Sequence, residues 1–386
     1  MASPSGLLLV LNDISGCPRP LRALIELSRR NYQMDILSWQ NSNDIDGYFR
    51  EHFVIVPGGG NIIRKMSRIF MNSIKPLLRF QRINRYIINY VYGISKYESI
   101  FNRYDFLLVA DIELLPIVAG INKQYKLIFD LREYYPAQVE NEFIFSILEK
   151  PYRNWVCNTF LHRCDYLYTV SRGLADRYSS TFGVKVDIIK SVPYFEFLSA
   201  NIVNINNVKL VHHGIANANR NLEDMIYLID QLDNRFSLDL YLTGSQKVIQ
   251  KLTYIANQYS NVRIMPPVSF KMIIKTLNRY DIGIFYNNPS TFNLRHSLPN
   301  KLFEFIQARL AVAIGPSPDM AEVVREYNCG IVANEFTISE MAAVLNALTE
   351  EDIMMYKRNS HKASKELNYE QESIKLNAII DETLAL

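Results

Sequence analysis

The residues best suited to chemistry stand in one stretch, Ser297-Leu-Pro-Asn-Lys-Leu-Phe-Glu-Phe-Ile-Gln-Ala-Arg-Leu-Ala-Val-Ala-Ile-Gly315. Pro299 suits a first helical turn, where its missing N–H costs nothing. Leu302, Phe305, Ile306 and Leu310 recur at helical spacing and form an apolar stripe. Asn300, Lys301 and Glu304 are expected on the opposite, polar side. Such a helix start combines unpaired N–H groups, the positive end of a dipole and a lysine, and that combination suits a phosphate. Glu304, one turn further in, can accept hydrogen bonds from sugar hydroxyls. The plainer alternative is an exposed i,i+3 ion pair between Lys301 and Glu304, worth a few tenths of a kcal/mol.

Elements that would position these residues are legible along the whole chain. Short apolar runs recur at Leu7–Leu11, Met34–Trp39, Phe53–Val56, Phe106–Val109, Lys126–Leu131, Tyr166–Val170 and Val186–Ile189. A second series follows at Val208–His212, Leu238–Leu242, Val262–Met265, Ile282–Tyr286, Ala311–Ile314 and Gly330–Val332. Each is separated from the next by a stretch with helical spacing. Runs that are apolar at consecutive positions are what parallel strands covered on both faces require. The expected class is therefore doubly wound α/β. The alternation pauses at Glu196–Asn207, which is expected to link two domains, 1–195 and 208–350. The tail, 351–386, is expected to be helical and to pack back toward the N-terminal domain. Ligands of such sheets gather at the strands' C-terminal ends, here in a cleft between the two domains.

The Lys301 stretch continues as Ala311-Val-Ala-Ile-Gly-Pro-Ser-Pro-Asp-Met-Ala-Glu-Val-Val324 and then Cys329-Gly-Ile-Val332. In order and spacing these residues resemble the retaining glycosyltransferases of family 4, whose fold is GT-B, two Rossmann-like domains facing across a cleft. The resemblance implies a donor nucleoside diphosphate sugar held by the C-terminal domain. Carried over residue by residue, it implies donor contacts at Gly214, Arg220, Gly244, His296, Asn300, Lys301, Leu302 and Glu304. Gly214 and Arg220 match the family's glycine and the basic residue six positions later that grips the diphosphate. The chemistry agrees, since glycine admits a close phosphate and arginine offers a bidentate fork. Leu240-Tyr-Leu-Thr-Gly244 resembles the second strand and its turn, and Arg263-Ile-Met-Pro-Pro267 the strand end beside the nucleotide base. His296 stands where many members have glutamate, and Ile215 where many have arginine.

In the first half, Tyr104-Asp-Phe-Leu-Leu-Val-Ala-Asp111 and Leu127-Ile-Phe-Asp-Leu-Arg-Glu-Tyr-Tyr-Pro136 resemble paired family segments. Arg132 and Ala110 occupy places where the family commonly has histidine. The resemblance makes Arg132, Glu133 and Asp111 the candidate catalytic residues, with Gly16 in a loop beside the donor sugar. Arginine can stabilise a departing diphosphate but cannot act as a base. Asp130, Glu133 and Asp111 are left as acceptor-side carboxylates, with capping of the following turn the alternative for Asp130 and Glu133. No Asp-x-Asp pair stands at a strand end in the right setting, so no metal and no other cofactor is expected.

Residues 62–103 carry Arg64, Lys65, Arg68, Lys75, Arg79, Arg82, Arg85, Lys96 and Arg103 against Glu98 alone, interleaved with aromatic and aliphatic residues. That pattern suits an anionic membrane surface or a lipid diphosphate acceptor, or else two core-packed helices with solvated basic faces. The net charge of +3 argues against a general nucleic-acid binder. The four cysteines lack zinc-site spacing and read as free thiols, with Cys157 and Cys164 expected on one helix face. With no signal-peptide pattern at the start and no apolar run of bilayer length, the expected location is the cytoplasm, or peripherally the inner face of its membrane. The expected activity is transfer of a hexose-type sugar to a glycan or lipid-linked acceptor in surface polysaccharide synthesis. The alternative is a degenerate GT-B protein that binds or scaffolds without turnover.

Overall fold

A computed structural model describes residues 3–39, 45, 47–55, 93–120, 123–143, 145–217, 221–286 and 288–385. The chain divides into two compact units. The first holds residues 1–190, 291–293 and 373–386, and the second holds 191–290 and 294–372.

The first unit is built on β1 (Ser5–Leu9), β2 (Gln33–Ser38), β3 (His52–Val54), β4 (Phe106–Val109), β5 (Lys126–Leu131), β6 (Tyr166–Thr169) and β7 (Asp187–Ile188). Among the described residues these form one parallel sheet in the order β3-β2-β1-β4-β5-β6-β7. The order reverses between β1 and β4, and that switch point is where such sheets open a crevice at their carboxyl ends. Helix α1 (Pro18–Arg29) follows the loop after β1, and α2 (Lys150–Phe160) packs near the loop after β5. β4 is buried at every position and β5 at all but Lys126, because helices and turns cover both faces. Cys157 is buried in α2, but Cys164 lies past the 3₁₀ turn Leu161–Arg163 in extended backbone. The two thiols therefore do not share a helix face, contrary to the expectation from their spacing.

The second unit repeats the plan with β8 (Val208–Ala216), β9 (Phe236–Gly244), β10 (Val262–Met265), β11 (Ile282–Phe285), β12 (Ala311–Ile314) and β13 (Gly330–Val332). These strands are parallel in the order β10-β9-β8-β11-β12-β13, with the switch point between β8 and β11. Helix α3 (Asn300–Gln307) leads into β12, α4 (Pro318–Glu326) into β13, and α5 (Glu350–Ala363) packs on β12. α3 is fixed by close approach: a Cβ on Gly283 of β11 would fall 2.3 Å from the Phe305 ring. Only glycine lets Phe305 rest on the strand, and that seating sets the height of the adjacent Glu304 and of Lys301 one turn earlier. Leu302, Phe303, Phe305 and Ile306 are almost wholly buried, and burial of each stabilises the unit by roughly 1.5–3 kcal/mol.

Two expectations about the division need correction. Residues 196–207 lack regular structure but belong to the second unit, so the boundary falls at 190/191. The reason is Arg309, a fully buried residue whose guanidinium donates to the Glu196 carbonyl (2.5 Å), the Leu198 carbonyl (3.2 Å) and the Gln307 carbonyl (2.5 Å). The tail also divides. α5 belongs to the second unit, held by the buried Lys357, which donates to the Tyr280 carbonyl at 2.9 Å. Helix α6 (Tyr369–Ala385) enters the first unit only from Ser373, where Leu376, Ile379 and Ile380 join the core beside β1 and β2.

Candidate functional site

In the second unit the site begins with two glycines. Gly214 (φ +141°) and Gly244 (φ +102°) lie at the carboxyl ends of the paired strands β8 and β9, with Ala216 opposite Gly244. A Cβ on Gly244 would stand 2.9 Å from Ile215 Cγ2 and 3.3 Å from the Ala216 carbonyl oxygen, in a conformation that side chains disfavour. β8 runs to Ala216, so Gly214 lies within the strand rather than after it. Beside these ends opens a pocket of 280 Å³, lined among others by His213, Gly214, Thr243, Pro267, Phe270 and Glu304. It thus joins the ends of β8 and β9, the segment following β10 and Glu304 in the second turn of α3.

The start of α3 differs from expectation. Pro299 is the N-cap, outside the helix, and the helix ends at Gln307, short of Leu310. Lys301 and Glu304 are only 6% and 4% exposed, so no solvent-facing polar side exists and no surface ion pair forms between them. The apolar residues between them are drawn against β11 and β12, and the short helix is covered all round. Lys301 Nζ lies 4.5 Å from the centre of the Phe285 ring and 3.5 Å from His212 Nε2. His212 Nδ1 is 2.9 Å from the Ile284 carbonyl and must donate to it, which leaves Nε2 to face the ammonium as an acceptor. Glu304 Oε2 is 3.1 Å from His213 Nε2, close enough to pair but not aligned as a hydrogen bond. Glu304 reaches the pocket wall; Lys301 is not among its lining residues. Leu302 packs in the core below.

Asn300 accepts a hydrogen bond from Ser191 Oγ at 2.8 Å. His296 places Nδ1 2.8 Å from Asp319 Oδ2 on α4, and a carboxylate there makes Nδ1 the protonated nitrogen. Arg220 and residues 56–92 lie outside the described residues, so the diphosphate grip and most of the basic stretch 62–103 do so too. Of the remainder of that stretch, Ile94, Ile100 and Phe101 pack into the core of the first unit. Among the described residues no helix is long and apolar enough to cross a membrane.

In the first unit a 360 Å³ pocket opens at the switch point. Asn12 after β1, Asp111 after β4, and Arg132 and Glu133 after β5 all reach it, joined by Glu113, Gln138 and Arg153. The three candidate catalytic residues are thus brought together. Asp111 is buried, with Oδ2 accepting from the Leu11 N–H at 2.7 Å and Oδ1 from Arg132. Burial raises its carboxyl above the usual range, and Arg132 opposes the rise. Burial pushes Glu133 up to about 7, with Arg153 and Arg132 pulling the other way. Asp130 is spent on structure: its Oδ2 takes the Arg19 Nε–H at 2.7 Å, beneath the loop. Gly16 closes a 3₁₀ turn capped by Asp13, with no positive φ, and a Cβ there would meet nothing within 4 Å. Its backbone geometry therefore does not demand glycine.

His213, Asp319, Glu113, Gln138 and Arg153 are site residues that sequence reading missed. His213 had a signal, standing next to Gly214 at a strand end. Arg153 had none, because it comes from α2, a separate helix after the β5 motif.

No protein-family model matches the sequence. No curated protein matches it either. Solved structures do match. Anabaena Alr3699/HepE in complex with UDP superposes with a TM-score of 0.73 over 99% of both chains at 12% identity. An α,α-trehalose-phosphate synthase (UDP-forming) from Burkholderia vietnamiensis gives 0.68 over the whole of both chains at 9% identity. WaaG, a glycosyltransferase involved in lipopolysaccharide biosynthesis, gives 0.64 over 96% of this chain and 99% of its own at 10% identity. At such identities the likeness establishes the fold, and the fold is GT-B.

Proposed function

We propose that this protein is a glycosyltransferase moving a hexose-type sugar from a nucleoside diphosphate sugar to a glycan or lipid-linked acceptor, with retention of anomeric configuration. The observation that carries the reading is the pocket at the ends of β8 and β9. Two positive-φ glycines admit a ligand close to the backbone there, and Glu304 with His213 supplies polar groups for ribose or sugar hydroxyls. Solved structures of this fold that contain UDP or UDP-glucose, HepE among them, support a nucleotide-sugar ligand. On this reading Gly214, Arg220, Gly244, Asn300, Lys301 and Leu302 frame the diphosphate and Glu304 the ribose, with His296 and Gly16 near the donor sugar. Arg132, Glu133 and Asp111 serve the acceptor side. The roles in surface polysaccharide synthesis and at the inner membrane face rest on the basic stretch 62–103 and on the company of WaaG.

The test is a thermal-shift panel of UDP-, GDP- and ADP-sugars, followed by release of the nucleotide from the sugar that stabilises most. Stabilisation with slow release, and an α-linked product from an α-linked donor, is the expected result. Stabilisation with no release or transfer would instead support a binding module without turnover.

A further inference from the structure

The lysine at the head of α3 stands where its charge is hard to keep. Lys301 is the second residue of the helix, at the positive end of the dipole, and only 6% of it is exposed. Desolvation and the dipole both oppose a cation there, and an anion placed beside it relieves both. What directs the ammonium is therefore part of how the site is built.

Two uncharged groups flank it. The centre of the Phe285 ring, at the end of β11, lies 4.5 Å from Nζ, and His212 Nε2 on β8 lies 3.5 Å from it. The His212 and Phe285 rings are parallel to within 8°, with centres 6.0 Å apart, and form one wall beside the ammonium. His212 is 1% exposed and is anchored at its other nitrogen, where Nδ1–H donates to the Ile284 carbonyl at 2.9 Å. That bond fixes the tautomer and the ring direction together, so Nε2 presents a lone pair to the lysine. An imidazole here has a consequence that a carboxylate would not. A carboxylate would hold the ammonium but cancel the charge that a diphosphate needs. A neutral acceptor directs an N–H and leaves that charge intact. Lysine is a point charge on a flexible four-carbon stem, and directing it before the ligand arrives lowers the ordering cost of binding.

Resting on the glycosyltransferase reading, we propose that His212 is a positioning residue for the donor. Anchored on Ile284, it holds the Lys301 ammonium in the orientation that receives the diphosphate. The plainer role is that the imidazole only satisfies a buried carbonyl. Amide side chains separate the two roles. Asparagine reaches as far as Nδ1 and can keep the bond to Ile284, but it is too short to replace Nε2. Glutamine is one carbon longer and can bring a carbonyl oxygen to the ammonium.

Isothermal titration of the full chain with UDP, GDP and ADP selects the diphosphate that binds most tightly, and the matching nucleoside is the uncharged control. His212→Asn should weaken the diphosphate about tenfold and leave the nucleoside within about twofold. His212→Gln should recover most of the loss. The deciding measurement is His212→Asn added to Lys301→Met, where it should change diphosphate affinity by less than about twofold, because its effect passes through the lysine. Thermal melts of the free protein confirm that each variant is folded. Nitrogen NMR of the wild-type imidazoles needs no His212 variant: His212 should carry its proton on Nδ1, and its Nε2 resonance should move in Lys301→Met. An equal loss from His212→Asn with and without Lys301 would make His212 purely structural, and would overturn the proposal while leaving the transferase reading standing. A His212 protonated on Nε2 would do the same. A wild-type protein that binds none of the three diphosphates would overturn both.

Discussion

Replacing Lys301 by methionine separates a binding role from a structural one. The ammonium is 6% exposed, over the Phe285 ring at 4.5 Å and near His212 Nε2 at 3.5 Å, at the positive end of α3. Keeping a cation there without solvent costs desolvation, and an apolar residue of similar volume often restores or raises stability. Lys301→Met should therefore leave the melting temperature of the free protein unchanged or higher. Donor binding should respond the other way. A charge-assisted hydrogen bond to a diphosphate contributes about 1.5–3 kcal/mol, so its loss should weaken donor binding by roughly 10- to 150-fold. Isothermal titration with the stabilising nucleotide-sugar, alongside thermal melts of free protein, gives both quantities from one preparation. The uncharged nucleoside supplies the control, since its affinity should be unaffected. If Lys301→Met melts several degrees lower yet binds the donor as tightly as before, the lysine is a structural cation and the diphosphate lies elsewhere.

Further outcomes follow from other parts of the structure. Gly244→Ala places a Cβ in a φ of +102°, 2.9 Å from Ile215 Cγ2; strain of about 1–2 kcal/mol should lower the melting temperature by a few degrees and weaken donor binding, both measured by thermal shift. Arg309→Met leaves the carbonyls of Glu196, Leu198 and Gln307 unpaired, and chemical denaturation should show a loss of about 3 kcal/mol or more; Arg309→Lys should not restore it, because one ammonium cannot span the fork. Glu133 is protonated more readily folded than unfolded, so the folded state gains protons relative to the unfolded one between about pH 4.5 and about pH 7. Wild-type stability should fall relative to Glu133→Gln as pH rises through that window, by up to about 3 kcal/mol, and denaturant melts at both ends would show no difference if the carboxyl titrated normally.

The sequence determined the fold largely by itself. Consecutive apolar runs such as Ala311–Ile314 and Phe106–Val109 can be satisfied only by strands covered on both faces, and every expected strand is present in order. It also pointed to Glu304 and to the glycines at the strand ends, whose residue types suit a ligand whatever surrounds them. Tertiary packing decided the rest, because burial and partnership depend on distant residues that local spacing does not encode. Helical spacing drew Lys301 and Glu304 as a solvent-facing pair, yet Phe305 seated on Gly283 pulls α3 inward and buries both. Glu196–Asn207 looked like a free linker until Arg309, more than a hundred residues away, took its carbonyls. Asp111, Asp130 and Glu133 were equivalent carboxylates in sequence; Arg132, Arg19 and the Gln138–Arg153 pair made them three different groups.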